Sequence, residues 1–323
     1  MNSKPLVSVV MPVRNGMPFL PEAVESILSQ TWSNWELIVV EDHSTDDTAS
    51  YLAQLIDPRI RVIGNSGYGF DAARASGIEA ARGEFTARMD ADDIAVPERI
   101  QLQVDFLAGN PEFVGIGAQV DFIAETTSIR AFRYPLTDAR IRASLRAGRV
   151  TMCDSAIMFR TSAAQQVRPR MPGPGSDFDF YLQLAAHGKL RNLPQRMIQM
   201  RIGKSSMSFS KIEEQICGIA FALACDRARR SHLPEPDFAD FERAWDNRPW
   251  WKRSLTKLRT WHQRLFRNAV IHRARGNSIR SVACLSASAV LWPPAIWYQL
   301  KRKLTREDPE PHANLPGSAA HHH

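Results

Sequence analysis

The chain has 323 residues and is 44% hydrophobic, enough apolar content to build a real core, which excludes a protein disordered over most of its length. Its four cysteines, Cys153, Cys217, Cys225 and Cys284, form no CxxC pair, have no histidine at zinc-finger spacing and follow no secretory signal, so reduced thiols in a cytosolic protein are expected. The net charge of +7 is unevenly placed, because residues 248–306 carry many Lys and Arg and almost no acids, and that asymmetry points to an anionic surface as partner.

In chain order, "LVSVVMP" (6–12) and "WELIVVED" (35–42) are apolar, β-branched runs of strand length, each followed by helical spacing. In the first of these helical segments Val24, Ile27 and Leu28 fall at i, i+3 and i+4. "RIRVIGN" then "GFDAARASGIEAA", and "EFTARMD" then "PERIQLQVDFLAG", repeat the strand and helix order. Four such units in about 110 residues predict a doubly wound, mostly parallel α/β sheet flanked by helices. Ligands of such sheets bind beyond the carboxyl ends of the strands. Both acidic clusters, Glu41-Asp42 and Asp90 to Asp93, fall there.

From 111 to 205 the pattern mixes strands ("FVGIGAQVDFI", "SAIMFR") with Pro- and Gly-rich loops such as "RPRMPGPGSD", and reads as the second half of the same domain. Beyond 211 it turns helical ("IEEQICGIAFALACDRARR") and then basic. The expected organisation is an α/β domain over 1–210, a helical basic region over 211–306, and a flexible tail over 307–323 whose "PGSAAHHH" reads as a tag remnant.

The stretch "ARMDADD" ends an apolar run in three carboxylates within four positions. Three acids cannot all cap the helix that follows near Pro97, and like charges this close repel unless a cation neutralises them. Asp90 and Asp92 are therefore candidate ligands for a hard divalent ion bridging a substrate diphosphate. Asp42 ends its strand just before the capping residues of "HSTDDT", where a carboxylate can accept an N–H from a bound base or ribose. "GYGFDAA" (67–73) matches a dinucleotide-binding GxGxxA, but it follows the third strand rather than the first, and its acid partner would be the crowded Asp90 cluster.

"VSVVMPVRNGMPFLPEAVESILSQTWSNWELIVVEDHSTDDT", "ARASGIEAARGEFTARMDADD" and "SDFDFYLQLAAHGKL", in that order over about residues 5–205, resemble glycosyltransferase family 2, inverting nucleotide-sugar transferases of the GT-A fold. The resemblance implies that the DxD element, Asp90 and Asp92, holds Mg²⁺ or Mn²⁺ on the diphosphate of the donor, with Asp92 the direct ligand. It implies a nucleobase contact for Asp42, with Pro12 and Arg14 lining the same pocket, and a diphosphate contact for Arg74. It assigns the catalytic base to Asp177, in a motif whose preceding Glu is here Ser176. A second departure is "MRIGKSSMS", where Gly203 or Lys204 stands near an expected His, a third protein ligand to the metal in that family. The implied partners are a UDP-sugar donor and a glycan or lipid-linked glycan acceptor.

Two rivals follow from the same residues. A nucleotidyltransferase shares strand-end carboxylates but needs a glycine-rich lysine motif that "MPVRNGMPF" does not supply, and Ser176 and Gly203 make a degenerate, non-enzymatic surface-binding scaffold conceivable. Residues 281–300 carry no charge and are flanked by Arg280 and by Lys301-Arg302-Lys303. Pro293-Pro294 and three serines oppose a membrane-spanning helix, whereas Trp292, Trp297 and Tyr298 beside basic residues fit attachment to an anionic leaflet at the cytoplasmic face. The other reading is a basic helical bundle packed on the catalytic domain. No nucleic-acid-binding module accompanies the charge, so nucleic acid is not an expected partner.

Overall fold

The computed structural model of the chain describes residues 4–124, 127–130, 133–202 and 211–291. Strands β1 (Val7–Val13), β2 (Trp35–Glu41), β3 (Ile60–Gly64) and β4 (Phe85–Arg88) lie parallel in the order β3-β2-β1-β4. Every residue of β1 is buried, the pattern of a strand covered on both faces, which is why it reads as an unbroken apolar run. Helices α1 (Leu20–Leu28), α2 (Thr48–Leu52) and α3 (Phe70–Ala80) connect these strands, and Val24 and Ile27 of α1 are fully buried. Gly77 is where α3 meets the sheet, because a Cβ there would lie 2.3 Å from Val10 Cγ1.

The chain leaving β4 does not run straight into a helix. It first forms β5 (Ile94–Ala95), and α4 (Arg99–Gly109) begins afterwards, with Glu98 at its N-cap. Capping by Asp90, Asp92 or Asp93 is thereby excluded. Three further long-range strands complete the sheet: β6 (Phe113–Ala124), β8 (Met158–Arg160) and β9 (Lys189–Arg201), with β7 (Thr127–Arg130) paired antiparallel to β6. Among the described residues nine strands form one sheet, in the order β3-β2-β1-β4-β8-β6-β9-β5 with β7 on β6. The sheet is parallel across β3-β2-β1-β4 and between β6 and β9, and antiparallel where β8 and β5 join it. It curls far enough that the segment after β5 returns to α1, where the Thr31 N–H donates to the Pro97 carbonyl at 2.9 Å.

Helices α5 (Asp138–Arg146), α6 (Thr161–Ala164) and α7 (Ser176–His187) flank the second half, and α8 (Ile212–Arg230) packs against α7, with Phe221, Ala222 and Cys225 at 1% exposure or less. Packing is thus continuous across residue 211. Beyond α9 (Phe238–Asp246), α10 (Trp250–Ala274) and α11 (Ser278–Leu291) form a helical hairpin, in which Ser281 Oγ donates to the Ala269 carbonyl at 2.8 Å. Among the described residues no helix is long and apolar enough to cross a membrane. Trp292, Trp297, Tyr298 and the tail lie outside the described residues, as do Gly203 and Lys204.

Candidate active site

The carboxyl ends of β1, β2 and β4 converge on one rim of the sheet, as parallel strands require. At its nucleotide-facing end by expectation, Pro12 pairs with Val40 inside the sheet and Arg14 is exposed on the loop that follows. The Asp42 N–H donates to the Val13 carbonyl at 2.9 Å, which sets Asp42 beside Arg14. The Asp42 carboxylate is buried and accepts from Asn65 Nδ2 at 2.6 Å and from the Gly69 N–H at 3.1 Å. The glycines of the GxGxxA stretch therefore serve this loop closure. The "STDDT" residues knit the loops after β1 and β2 together: Ser44, Asp46 and Thr48 accept the backbone N–H groups of Asn15, Met17 and Gly16.

The centre of the site is a residue that the sequence does not single out. Asp154, on the short turn before β8, ion-pairs with both Arg74 and Arg88, the latter at 2.7 Å, and accepts from Tyr181 Oη at 2.8 Å. Burial opposes its charge, but the two guanidiniums hold its carboxyl below the usual carboxylate range. Arg74 is itself buried, which disfavours its charge, yet Asp154, Asp90 and Asp177 together push its pKa up. Each guanidinium also lies 3.8 Å from an aromatic ring centroid, Arg74 over Phe70 and Arg88 over Phe180. Arg74 thus stands in the field of both the acidic cluster and the candidate base.

One carboxylate oxygen from each of Asp90, Asp92 and Asp93 falls within 4.8 Å of the others. Asp92 is exposed at the mouth, Asp90 half-buried, and Asp93 is 1% exposed. Asp93 Oδ1 accepts the Arg201 N–H at 3.0 Å, while its Oδ2 is buried without a hydrogen-bond partner. An orphaned buried oxygen facing two more carboxylates fits a hard cation, since such ions take oxygen ligands and offset like charge. Burial, with repulsion from Asp154 and Asp92, raises Asp90 to about 7 despite Arg74, and Asp93 is pushed well above the usual range by burial and by its two neighbours. Asp93 thus stands with Asp90 and Asp92 as a candidate donor. Beneath them Arg99 is fully buried and donates to the Arg88 carbonyl at 2.7 Å.

On α7, the N-cap is Gly175 with φ +106°, and no side chain caps the helix. Asp177 is half-buried, and its Oδ1 accepts the Phe178 N–H at 2.8 Å. Burial and Asp154 raise its pKa, against the pull of Arg74. Asp179 points elsewhere: it is 2% exposed, accepts from Gln183 Nε2 at 2.8 Å and faces Arg170 at 3.9 Å. Its surroundings give it a packing role. Arg74, Asp90 and Asp177 are therefore brought together, and Asp42 stands apart in its own hydrogen-bonded loop.

A profile described as "Glycosyl transferase family 2" matches residues 8–168. The putative glycosyltransferase EpsE of Bacillus subtilis (strain 168) is 30% identical over 247 residues, covering 74% of this chain and 87% of that protein. The UDP-Glc:alpha-D-GlcNAc-diphosphoundecaprenol beta-1,3-glucosyltransferase WfgD of Escherichia coli is 34% identical over 106 residues, covering 32% of this chain and 42% of WfgD. The match spans about two-fifths of the length of several curated relatives. S. aureus TarS 1-349, solved in complex with UDP-GlcNAc, has a TM-score of 0.59 at 15% identity and is covered over 90% of its chain, 87% of this one, so the two share a fold. This chain belongs to glycosyltransferase family 2.

Proposed function

We propose that the chain transfers a sugar, with inversion, from a UDP-sugar to a hydroxyl of a glycan or lipid-linked glycan, using a divalent cation. The observation that carries this reading is one buried guanidinium, Arg74, ion-paired to Asp154 and in the field of both Asp90 and Asp177. TarS holds UDP-GlcNAc and WfgD is named for a UDP-glucose donor and a diphosphoundecaprenol-linked acceptor, which supports a donor and an acceptor of those classes.

In the proposed reaction Asp177 accepts the proton of the acceptor hydroxyl as its oxygen bonds to the anomeric carbon, while the bond from that carbon to the diphosphate breaks. Arg74, its head fixed by Asp154, faces the departing diphosphate. Asp90, Asp92 and Asp93 would hold Mn²⁺ or Mg²⁺. When bound, the cation neutralises charge on the diphosphate. Asp42, Pro12 and Arg14 would receive the nucleotide end.

Calorimetry with UDP and Mn²⁺ tests the metal arm. Asp92→Asn keeps an oxygen but removes a charge, so affinity should fall by at least about tenfold while the fold survives. The wild-type affinity should also weaken as pH drops through about 7, because a proton on Asp90 competes with the cation. Affinity unchanged in the variant and flat with pH would sink the metal assignment.

We further propose that the C-terminal hairpin lies on an anionic leaflet at the cytoplasmic face. On α10, Trp250 (78% exposed), Trp251, Leu255, Leu258 and Trp261 are exposed among Lys252, Arg253, Lys257 and Arg264, and on α11 Ile279 and Val282 are exposed too. Aromatic rings with interleaved cations, in a stretch from 247 to 291 that has no Asp or Glu, suit a lipid interface. The intact chain should sediment with phosphatidylserine vesicles at low salt, less at high salt, and less again when Trp250, Trp251 and Trp261 are replaced by Ser. A chain that stays in the supernatant at low salt contradicts attachment.

A further inference from the structure

We infer that Asp71 is a positioning residue for Asp177, supplying from α3 the carboxylate that the α7 motif lacks at Ser176. The inference rests on the proposed role of Asp177. Asp71 lies in the first turn of α3, one turn before Arg74, and its carboxylate accepts from two groups at the start of α7: Ser176 Oγ, and the Gly173 N–H at 2.6 Å. Ser176 is the residue next to Asp177. A single side chain therefore fastens the turn that carries Arg74 to the turn that carries Asp177.

The need for such a fastening is visible in the packing. A cavity of about 370 Å³ separates the facing surfaces of the two helices, lined by Asp71, Arg74 and Ile78 on one side and by Ser176, Asp179 and Phe180 on the other. Ile78 of α3 shares a buried apolar cluster with Phe178 and Phe180 of α7, and at the helix start itself the Asp71 carboxylate adds charge-assisted hydrogen bonds. On the other side the start of α7 is pressed against α8, because a Cβ added at Gly175 would lie 3.1 Å from the Gly218 backbone. The start of α7 is thus held from both directions, with Asp177, the residue after Ser176, in the field of Asp154 and Arg74.

The test is a set of four chains: Asp71→Ala, Ser176→Glu, the reciprocal swap Asp71→Ser with Ser176→Glu, and wild type. Asp71→Ala should lower kcat on the order of 10²-fold, the effect of a misplacement near 1 Å, with the donor KM unchanged. Ser176→Glu alone crowds two carboxylates and should be similarly slow. The swap restores one carboxylate and one hydroxyl with their helices exchanged, and should recover kcat to within severalfold of wild type. A folded Asp71→Ala chain with normal kcat overturns the inference, and so does a folded swap as slow as either single variant. Should Asp71→Ala fail to fold, the swap against Ser176→Glu decides. Should wild type transfer no sugar at all, the proposed function fails and the fastening is judged by thermal unfolding of Asp71→Ala, Ser176→Ala and their double variant: losses that add independently overturn it, and a double loss no greater than one single loss supports it.

Discussion

Asp177→Asn is expected to cut transfer to acceptor by a factor on the order of 10² to 10⁴, the usual loss on removing a positioned acid or base. An inverting transfer needs one carboxylate free of the metal and on the acceptor side of the sugar. Asp90, Asp92 and Asp93 cluster as the candidate cation donors, and Asp42 is taken up by Asn65 and Gly69. Asp179 is engaged by Gln183 and faces Arg170. Asp177 has one oxygen engaged by the Phe178 N–H and stands in the field of Arg74 and Asp154, in surroundings that raise its pKa toward that of a useful base. Donor affinity should barely change, because the side chain acts as the proton moves. Single-turnover kinetics separates the two quantities. Near-normal turnover in Asp177→Asn, with turnover lost in a folded Asp179→Asn, would mean that the wrong carboxylate was chosen.

The largest stability effect is expected at Asp154. Its side chain is 12% exposed and stands between two guanidiniums of 10% and 6% exposure, so Asp154→Ala leaves two buried cations without their shared anion. Breaking a buried pair in this way costs about 3–5 kcal/mol, whereas an exposed pair would cost under about 1 kcal/mol. Tyr181 would lose its acceptor as well. The loss should appear as a lower urea midpoint with little change in slope, and it should be smaller when Arg88 is simultaneously replaced by Met, since one stranded charge is then removed. An unchanged midpoint in Asp154→Ala would show that the network contributes nothing to the fold. The sign with pH also follows: because the folded-state pKa of Asp154 is depressed, its contribution is present above the ordinary carboxylate range and is lost as pH falls through the folded value.

What could be read from the sequence follows the physics of each element. β1 and β2 were legible because strands buried on both faces are nearly unbroken apolar runs, β3 and β4 because they repeat the same strand and helix order, and α8 because its apolar spacing extends over 19 residues. The Asp90 cluster was legible because three like charges at the end of such a run have few structural uses. β5 was not, since two residues carry no periodicity and its strand geometry comes from pairing with β9 about a hundred positions later. Asp154, Arg88 and Tyr181 were hidden for the same reason: their roles arise from partners 66 and 27 residues apart. Arg99 reads as an exposed helix residue in "PERI" yet is fully buried, and Asp71 reads as an ordinary first-turn acid favoured by the helix dipole. Each was assigned by a contact, not by a pattern.

The central claim, that this site activates a nucleotide-sugar, is tested most directly by UDP release from a panel of UDP-sugars with Mn²⁺ and no acceptor, read together with thermal unfolding under the same conditions. At least one sugar should stabilise the fold by about 2.7 kcal/mol at a hundred times its Kd and be hydrolysed slowly, with both effects lost on chelation and hydrolysis reduced in Asp177→Asn. A chain that neither gains stability from any UDP-sugar with Mn²⁺ nor releases UDP would contradict the account.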